Sequence, residues 1–173
     1  MMRTLSVLFT SLSLVFSAVE AATVAVGDPA PRVSAIDQDG KPIQFADVYA
    51  KGLTLVYFYP KAGTPGCTAE ACSLRDSYEK LHGQGLQIIG VSRDTVDAQK
   101  RFLTDNKLPF ILVADSDGKV AEAFGVPPMM KGLIALDTRQ SFIIKDGKIA
   151  WFSPKAETKA SAEEVQKALD GLK

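Results

Sequence analysis

Two cysteines stand five positions apart in Tyr59-Pro-Lys-Ala-Gly-Thr-Pro-Gly-Cys67-Thr-Ala-Glu-Ala-Cys72, and the chain has no others. Cys67 follows an apolar run and a Gly/Pro-rich turn, and it opens a segment whose Leu74, Tyr78 and Leu81 recur at helical spacing. A residue there meets unpaired backbone N–H groups and the positive end of the helix dipole, both of which favour an anion. Free cysteine titrates near pH ~8.5, and helix N-termini with cationic neighbours hold thiols well below that value. The position makes Cys67 a candidate nucleophile.

A structural bridge between Cys67 and Cys72 is the plainer alternative. On a regular helix, five residues separate them by about 7.5 Å of rise and roughly 140° of rotation. Their Cα separation then exceeds the ~7 Å limit for a disulfide. A bridge requires the first turns of the helix to unwind, which suits a bond made and broken in each cycle better than a permanent staple.

The elements that must position these residues alternate between strand and helix. Asp37–Lys41 reads as a turn between short extended segments, and Leu53–Tyr59 as a buried central strand. A helix from Cys67 to Gln84 follows, then a strand over Leu86–Ser92, a helix over Val96–Asn106, a strand over Phe110–Val113 and a short helix over Val120–Phe124. Phe142–Phe152 reads as an antiparallel hairpin around Asp146-Gly147. A closing helix spans Ala162–Leu172, with Val165, Ala168, Leu169 and Leu172 on its apolar face. This order predicts an α/β protein of thioredoxin-like fold, a central mixed β-sheet flanked by helices on both faces.

Composition narrows the function classes. The chain has 173 residues, 46% hydrophobic and 23% charged, with 20 basic residues balancing 20 acidic ones. That describes one globular domain without the positive field that steers proteins to nucleic acid or anionic membrane. Arg3, the uncharged apolar stretch Leu5–Phe16 and small residues from Ala18 to Ala22 form the layout of a secretory signal, with cleavage before Ala22. The stretch is short for a bilayer span, which needs about 20 residues. The expected organisation is a cleavable signal over 1–21 and a single domain over 22–173, exported, with a periplasm as the simplest compartment. No membrane association is expected after cleavage.

Other chemistries lack their residues. His82 is the single histidine and sits at a helix end, where it serves carbonyls better than a reaction. Gly-x-Ser-x-Gly is absent, and no Cys/His cluster has zinc-ligand spacing. No metal, flavin, haem or nucleotide cofactor is expected. Met129 and Met130, after Pro127-Pro128, fall in a loop.

Pro60-Lys-Ala-Gly-Thr64-Pro-Gly-Cys67 fits the Pro-x-x-x-Thr-x-x-Cys signature of the peroxiredoxins. The chain resembles the peroxiredoxin Q branch, also called bacterioferritin comigratory protein, marked by Thr-Pro-Gly-Cys-Thr and a second cysteine five residues on. Gly90–Asp94 and Arg139–Phe142 resemble later landmarks of that branch, and the likeness runs from about Val26 to Leu172. The resemblance implies a thiol peroxidase for hydrogen peroxide and organic hydroperoxides. Cys67 would be the peroxidatic residue and Cys72 the resolving one, with Thr64 and Arg139 completing the pocket and Pro60 shaping and shielding it. Cys67 would become a sulfenic acid, Cys72 would resolve it as an intramolecular disulfide, and a thioredoxin-like donor would reduce that bond. A monomer is also implied.

Two alternatives come from other classes. A thioredoxin-like protein disulfide oxidoreductase calls for Cys-x-x-Cys, whereas four residues intervene here. A noncatalytic domain with a structural disulfide remains the other.

Overall fold

The structure, a computed structural model, describes residues 24–129 and 136–172. The expected signal over 1–21, its cleavage before Ala22, and Met130 lie outside the described residues.

Strands β1 (Ser34–Ile36) and β2 (Pro42–Gln44) pair antiparallel around the Asp37–Lys41 turn, and the short helix α1 (Phe45–Tyr49) follows. The main sheet holds β3 (Thr54–Phe58), β4 (Gln87–Ser92), β5 (Ile111–Ala114), β6 (Gln140–Lys145) and β7 (Lys148–Ser153) in the order β5-β4-β3-β6-β7. β3 runs parallel to β4 and antiparallel to β6. The sheet is therefore mixed, with a strand buried along its whole length at its centre.

That strand has no polar face. Leu55, Tyr57 and Tyr59 enter one core with residues of α2 (Pro65–Asp76), α4 (Val96–Asn106) and α6 (Ser161–Gly171). Val56 and Phe58 enter the opposite core with residues of α1 and α5 (Lys119–Ala123). The period-two alternation of a strand thus feeds two helical layers, as the thioredoxin-like reading requires.

Two features depart from the sequence reading. The expected helix over Cys67–Gln84 is two helices, because Ser77 adopts φ −103°, ψ 5° between α2 and α3 (Tyr78–His82). Leu74 and Leu81 are both buried in the same core, so the apolar spacing carries through a break that it does not reveal. Helix α1 was not anticipated; five residues hold too few turns to show a period. In the hairpin, Asp146 and Gly147 take φ 53° and 72°, the paired positive values of a tight turn whose twist matches its strands. A register shift at Ile143/Ile144 then places both Ile149 and Phe152 against the α1/α5 core.

One glycine in the sheet is set by packing. A Cβ on Gly90 would stand 2.8 Å from Leu112 Cδ2 and 2.8 Å from the Tyr57 hydroxyl, and both neighbours are fully buried. Gly90→Ala is expected to destabilise the fold by roughly 1–3 kcal/mol through overpacking. Urea unfolding measures this; a midpoint equal to wild type would show that the Tyr57 ring yields freely.

Candidate active site

Phe58 pairs with Gln140 in the β3–β6 ladder. Because these strands are antiparallel, the residue before Gln140 arrives beside the loop that leaves β3. That residue is Arg139, and the loop runs from Pro60 to the start of α2. One register thus joins the carboxyl end of the central strand, Phe58, to a cation 81 residues away in sequence.

The loop is fastened from behind. Ala62 N–H donates to Asp94 Oδ2 at 2.7 Å, and Ser92 Oγ donates to the same oxygen at 2.7 Å. Gln99 Nε2 donates to Ser92 Oγ at 2.9 Å, while its Oε1 accepts from the Tyr59 hydroxyl at 2.5 Å. Burial holds the Tyr59 hydroxyl far above its ordinary titration range, leaving it a neutral donor. The Arg139 segment has its own anchor, since Arg93 Nε donates to the buried Asp137 carboxylate at 2.7 Å.

Cys67 occupies the third position of α2, two residues after Pro65. Proline at that start gives up an N–H that the helix could not pair anyway. Thr64 precedes it in extended geometry, yet its side chain accepts no bond from the first turn. Instead Thr64 Oγ1 donates to Lys61 O at 3.0 Å. The hydroxyl shapes the loop and leaves the helix terminus without a side-chain cap.

The thiol itself is 2% exposed. Arg139 Nη2 donates to Cys67 Sγ at 3.3 Å, and Arg139 Nη1 donates to Glu70 Oε2. Gly66 adjoins this pair, and a Cβ there would stand in ordinary contact with Arg139 Nη2 at 3.6 Å. Burial weakens the guanidinium's hold on its proton, but Glu70 and then Cys67 more than offset it, so Arg139 is a firm cation.

Glu70 was not singled out in the sequence. It lies three residues after Cys67 on α2 and is completely buried, a charged residue type in the stripe with Ala71 and Leu74. The i, i+3 spacing from Cys67 was the signal that could have found it. Burial disfavours its carboxylate and Arg139 favours it; burial wins and pushes Glu70 up to about 8.

The sequence-predicted residues are not all brought together. Cys67 and Arg139 touch, Pro60 and Arg139 line one cavity of about 490 Å³ with Met129, Thr138, Ala156 and Thr158, and Thr64 stands at the helix start. Cys72 does not meet Cys67. Both are free thiols, and Cys72 Sγ donates to Asn106 Oδ1 of α4 at 3.8 Å. Arg75 is half-buried and donates to Asn106 O at 2.8 Å. His82 Nδ1 lies 3.3 Å from Leu86 O, the carbonyl-serving place expected of it. No group of His, Cys, Asp and Glu among the described residues could hold a metal ion.

Residues 26–152 match the AhpC/TSA family. The chain is 35% identical to the chloroplastic peroxiredoxin Q of Sedum lineare over 88% of its own length and 81% of that protein's. It is 45% identical to peroxiredoxin Bcp of Escherichia coli K12 over 58% of its own length and 64% of that protein's. The peroxidoxin BcpB structure from Mycobacterium tuberculosis superposes with a TM-score of 0.81 at 30% identity, covering 87% of this chain and 99% of that one. A Xanthomonas campestris bacterioferritin comigratory protein, studied for alkyl peroxide reduction, superposes at 0.73 with 25% identity over 80% of this chain and 90% of that one.

Glu70 carries a pH dependence whose sign is fixed. Its folded value near 8 stands above the ordinary 4.5, so the folded state retains a proton that the unfolded chain has lost. This stabilisation is fully present below pH 4.5 and is lost as pH rises through about 8. Glu70→Gln should remove that slope, so wild type loses unfolding free energy relative to the variant between those limits. Urea titrations across the range test it, and parallel profiles would mean that Glu70 stays ionised when folded.

Proposed function

Because the chain belongs to the AhpC/TSA family and is a thiol peroxidase of its peroxiredoxin Q/Bcp kind, we propose that Cys67 is the sulfur that attacks the peroxide. The observation that carries this is the 3.3 Å contact from Arg139 Nη2 to a buried Cys67 Sγ at the start of α2.

In the first step the Cys67 thiolate attacks one peroxide oxygen. The S–O bond forms, the O–O bond breaks, and the electron pair leaves on the second oxygen, which takes a proton and departs as water or an alcohol. Charge grows on the leaving oxygen, so fixed donors and a cation aimed at it lower the barrier. Arg139 supplies the cation and the first N–H groups of α2 supply backbone donors, while the Thr64 hydroxyl at the helix start must turn from Lys61 O to donate to the substrate. Pro60 walls the cavity. The product is Cys67 sulfenic acid.

In the second step Cys72 attacks that sulfenic sulfur, forming an intramolecular disulfide and releasing water. A thioredoxin-like dithiol then reopens it. A cavity of about 490 Å³ beside Arg139 exceeds what hydrogen peroxide fills, which supports organic hydroperoxides as substrates as well. The apolar N-terminal stretch with its small-residue end supports export to a periplasm with the signal over 1–21 removed, and no helix among the described residues is long and apolar enough to cross a membrane. We read the working unit as a monomer, using no metal or organic cofactor and binding no nucleic acid.

Anaerobic titration of the reduced protein with hydrogen peroxide tests the cycle, counting thiols and following intact mass. Wild type should lose two thiols per peroxide, Cys67→Ser should lose none rapidly, and Cys72→Ser should hold a sulfenic acid. Arg139→Gln should slow the first step by about 10²–10³, the usual consequence of removing one donor to a developing oxyanion. Oxidation equally slowed by either cysteine change would return the pair to a structural or thiol-exchange role.

A further inference from the structure

The second chemical step faces a geometric obstacle that the first does not. Five helical residues place Cys72 about 7.5 Å along α2 and roughly 140° around it from Cys67. Cys67 packs into the core under the sheet, while Cys72 turns to α4. The two sulfurs can meet only when part of α2 gives up its helical form, so whatever holds the turn around Cys72 governs the step.

Three polar ties hold that turn. The Cys72 thiol donates to Asn106 Oδ1 at 3.8 Å. Asn106 is fixed in this orientation because its Nδ2 donates to Phe102 O at 2.9 Å, leaving the amide oxygen for the sulfur. Arg75 Nη1 donates to Asn106 O at 2.8 Å, a carbonyl at the end of α4 that its own helix leaves without a partner. Ala162 N–H at the start of α6 donates to Ser73 Oγ at 3.1 Å. Immediately beyond, Ser77 interrupts the helix, so α3 does not continue the ladder past Asp76.

Arg75 is also steered toward this place. Its Nε and Nη2 donate to Asp76 Oδ1 at 2.9 and 2.7 Å, which sets the plane of the guanidinium. Asp76 and, more weakly, the adjacent Cys72 sulfur favour its charge.

We propose that Asn106 and Arg75 form a catch that holds Cys72 in the helical conformation and sets the rate at which it reaches oxidised Cys67. They are positioning residues for the second step and take no part in the first. The inference rests on the cycle above, in which the Cys72 sulfur attacks the Cys67 sulfenic sulfur. The S–S bond forms and the S–O bond breaks; the hydroxyl leaves with the Cys72 thiol proton as water. Cys72 sulfur is oxidised and Cys67 sulfur is reduced, with no outside reactant. The two ties exist only while the turn is helical, and bonds made in one of two states favour that state. Removing either one releases the turn more often. A held Cys72 also leaves the sulfenic acid waiting, open to a second peroxide that carries it to sulfinic acid.

The test uses the reduced full domain mixed rapidly with hydrogen peroxide and quenched at intervals by a thiol-alkylating reagent, with intact mass separating sulfenic acid, disulfide and sulfinic acid. Asn106→Ala and Arg75→Met are compared with wild type. Cys67 should be consumed at an unchanged rate in both, while the disulfide forms about fivefold faster in each, the effect of one hydrogen bond of ordinary net strength. Sulfinic acid at excess peroxide should fall in step, and amide hydrogen exchange over residues 72–76 should quicken. Arg75→Lys, which keeps the charge and loses the guanidinium fork, should give a smaller acceleration and serves if Arg75→Met folds poorly. Disulfide formation that is unchanged or slower in either variant, with the first step intact, overturns the catch and leaves the cycle standing. A wild type that forms no Cys67–Cys72 disulfide removes both.

Discussion

The proposed cycle asks a sulfur that has been taken out of water to react as an anion, and the architecture around it answers that constraint. Cys67 is 2% exposed, and an isolated anion in such surroundings is costly unless donors and a counter-charge are already in place. The start of α2 offers backbone donors, and Arg139 offers the charge at 3.3 Å. Neither could do so from an arbitrary fold. α2 must begin where β3 ends, and β6 must run antiparallel to β3 so that its first residues arrive at that same end. An all-parallel sheet would deliver the residue before β6 to the opposite edge, so the mixed topology is what makes a cation from residue 139 available to a sulfur at residue 67.

Glu70 complicates the same site in a useful direction. A carboxylate bonded to Arg139 would neutralise much of the charge meant for the sulfur. Burial pushes Glu70 up to about 8, so at neutral pH it leans toward the protonated acid while its oxygen still accepts from Arg139 Nη1. Orientation of the guanidinium is kept, and its positive charge remains available on the Cys67 side. A glutamine could do the first task equally well; a glutamate adds a proton that comes and goes with pH.

Much of this was legible in the sequence, and what was not has identifiable causes. β3 showed itself because an unbroken apolar run bounded by turn residues leaves few options, and α4, which the structure caps with Thr95, falls where the strand–helix alternation predicts a helix. Asp146-Gly147 announced the hairpin through backbone conformations that few other pairs adopt. The break at Ser77 stayed hidden because Leu74 and Leu81 occupy the same core on either side of it. Arg139 could be placed only through resemblance to a family, since nothing local ties residue 139 to residue 67. Glu70 had a local sign, its i, i+3 spacing from Cys67, but a glutamate in a helix is ordinarily a solvated residue. Asn106 had none, because its importance is a contact between two helices that no spacing in either one encodes.

The site also carries an internal opposition that no single side chain resolves. An intact α2 is what gives Cys67 its helix terminus, and that same intact helix keeps Cys72 on another face, bonded to α4. In the proposed cycle the helical ladder serves the first step and obstructs the second, so the two steps ask opposite things of one element. A long, uninterrupted helix would settle the conflict in favour of attack and strand the sulfenic acid. A frayed one would bring the cysteines together and disperse the donors that attack requires. α2 lies between these extremes: twelve residues long, pinned through Leu74 in the core and through Arg75 to α4, and cut off from α3 at Ser77. The cost of releasing its last turn is therefore confined to a few named contacts, and the balance between the two steps can be set there without altering Cys67, Arg139 or the loop that joins β3 to α2.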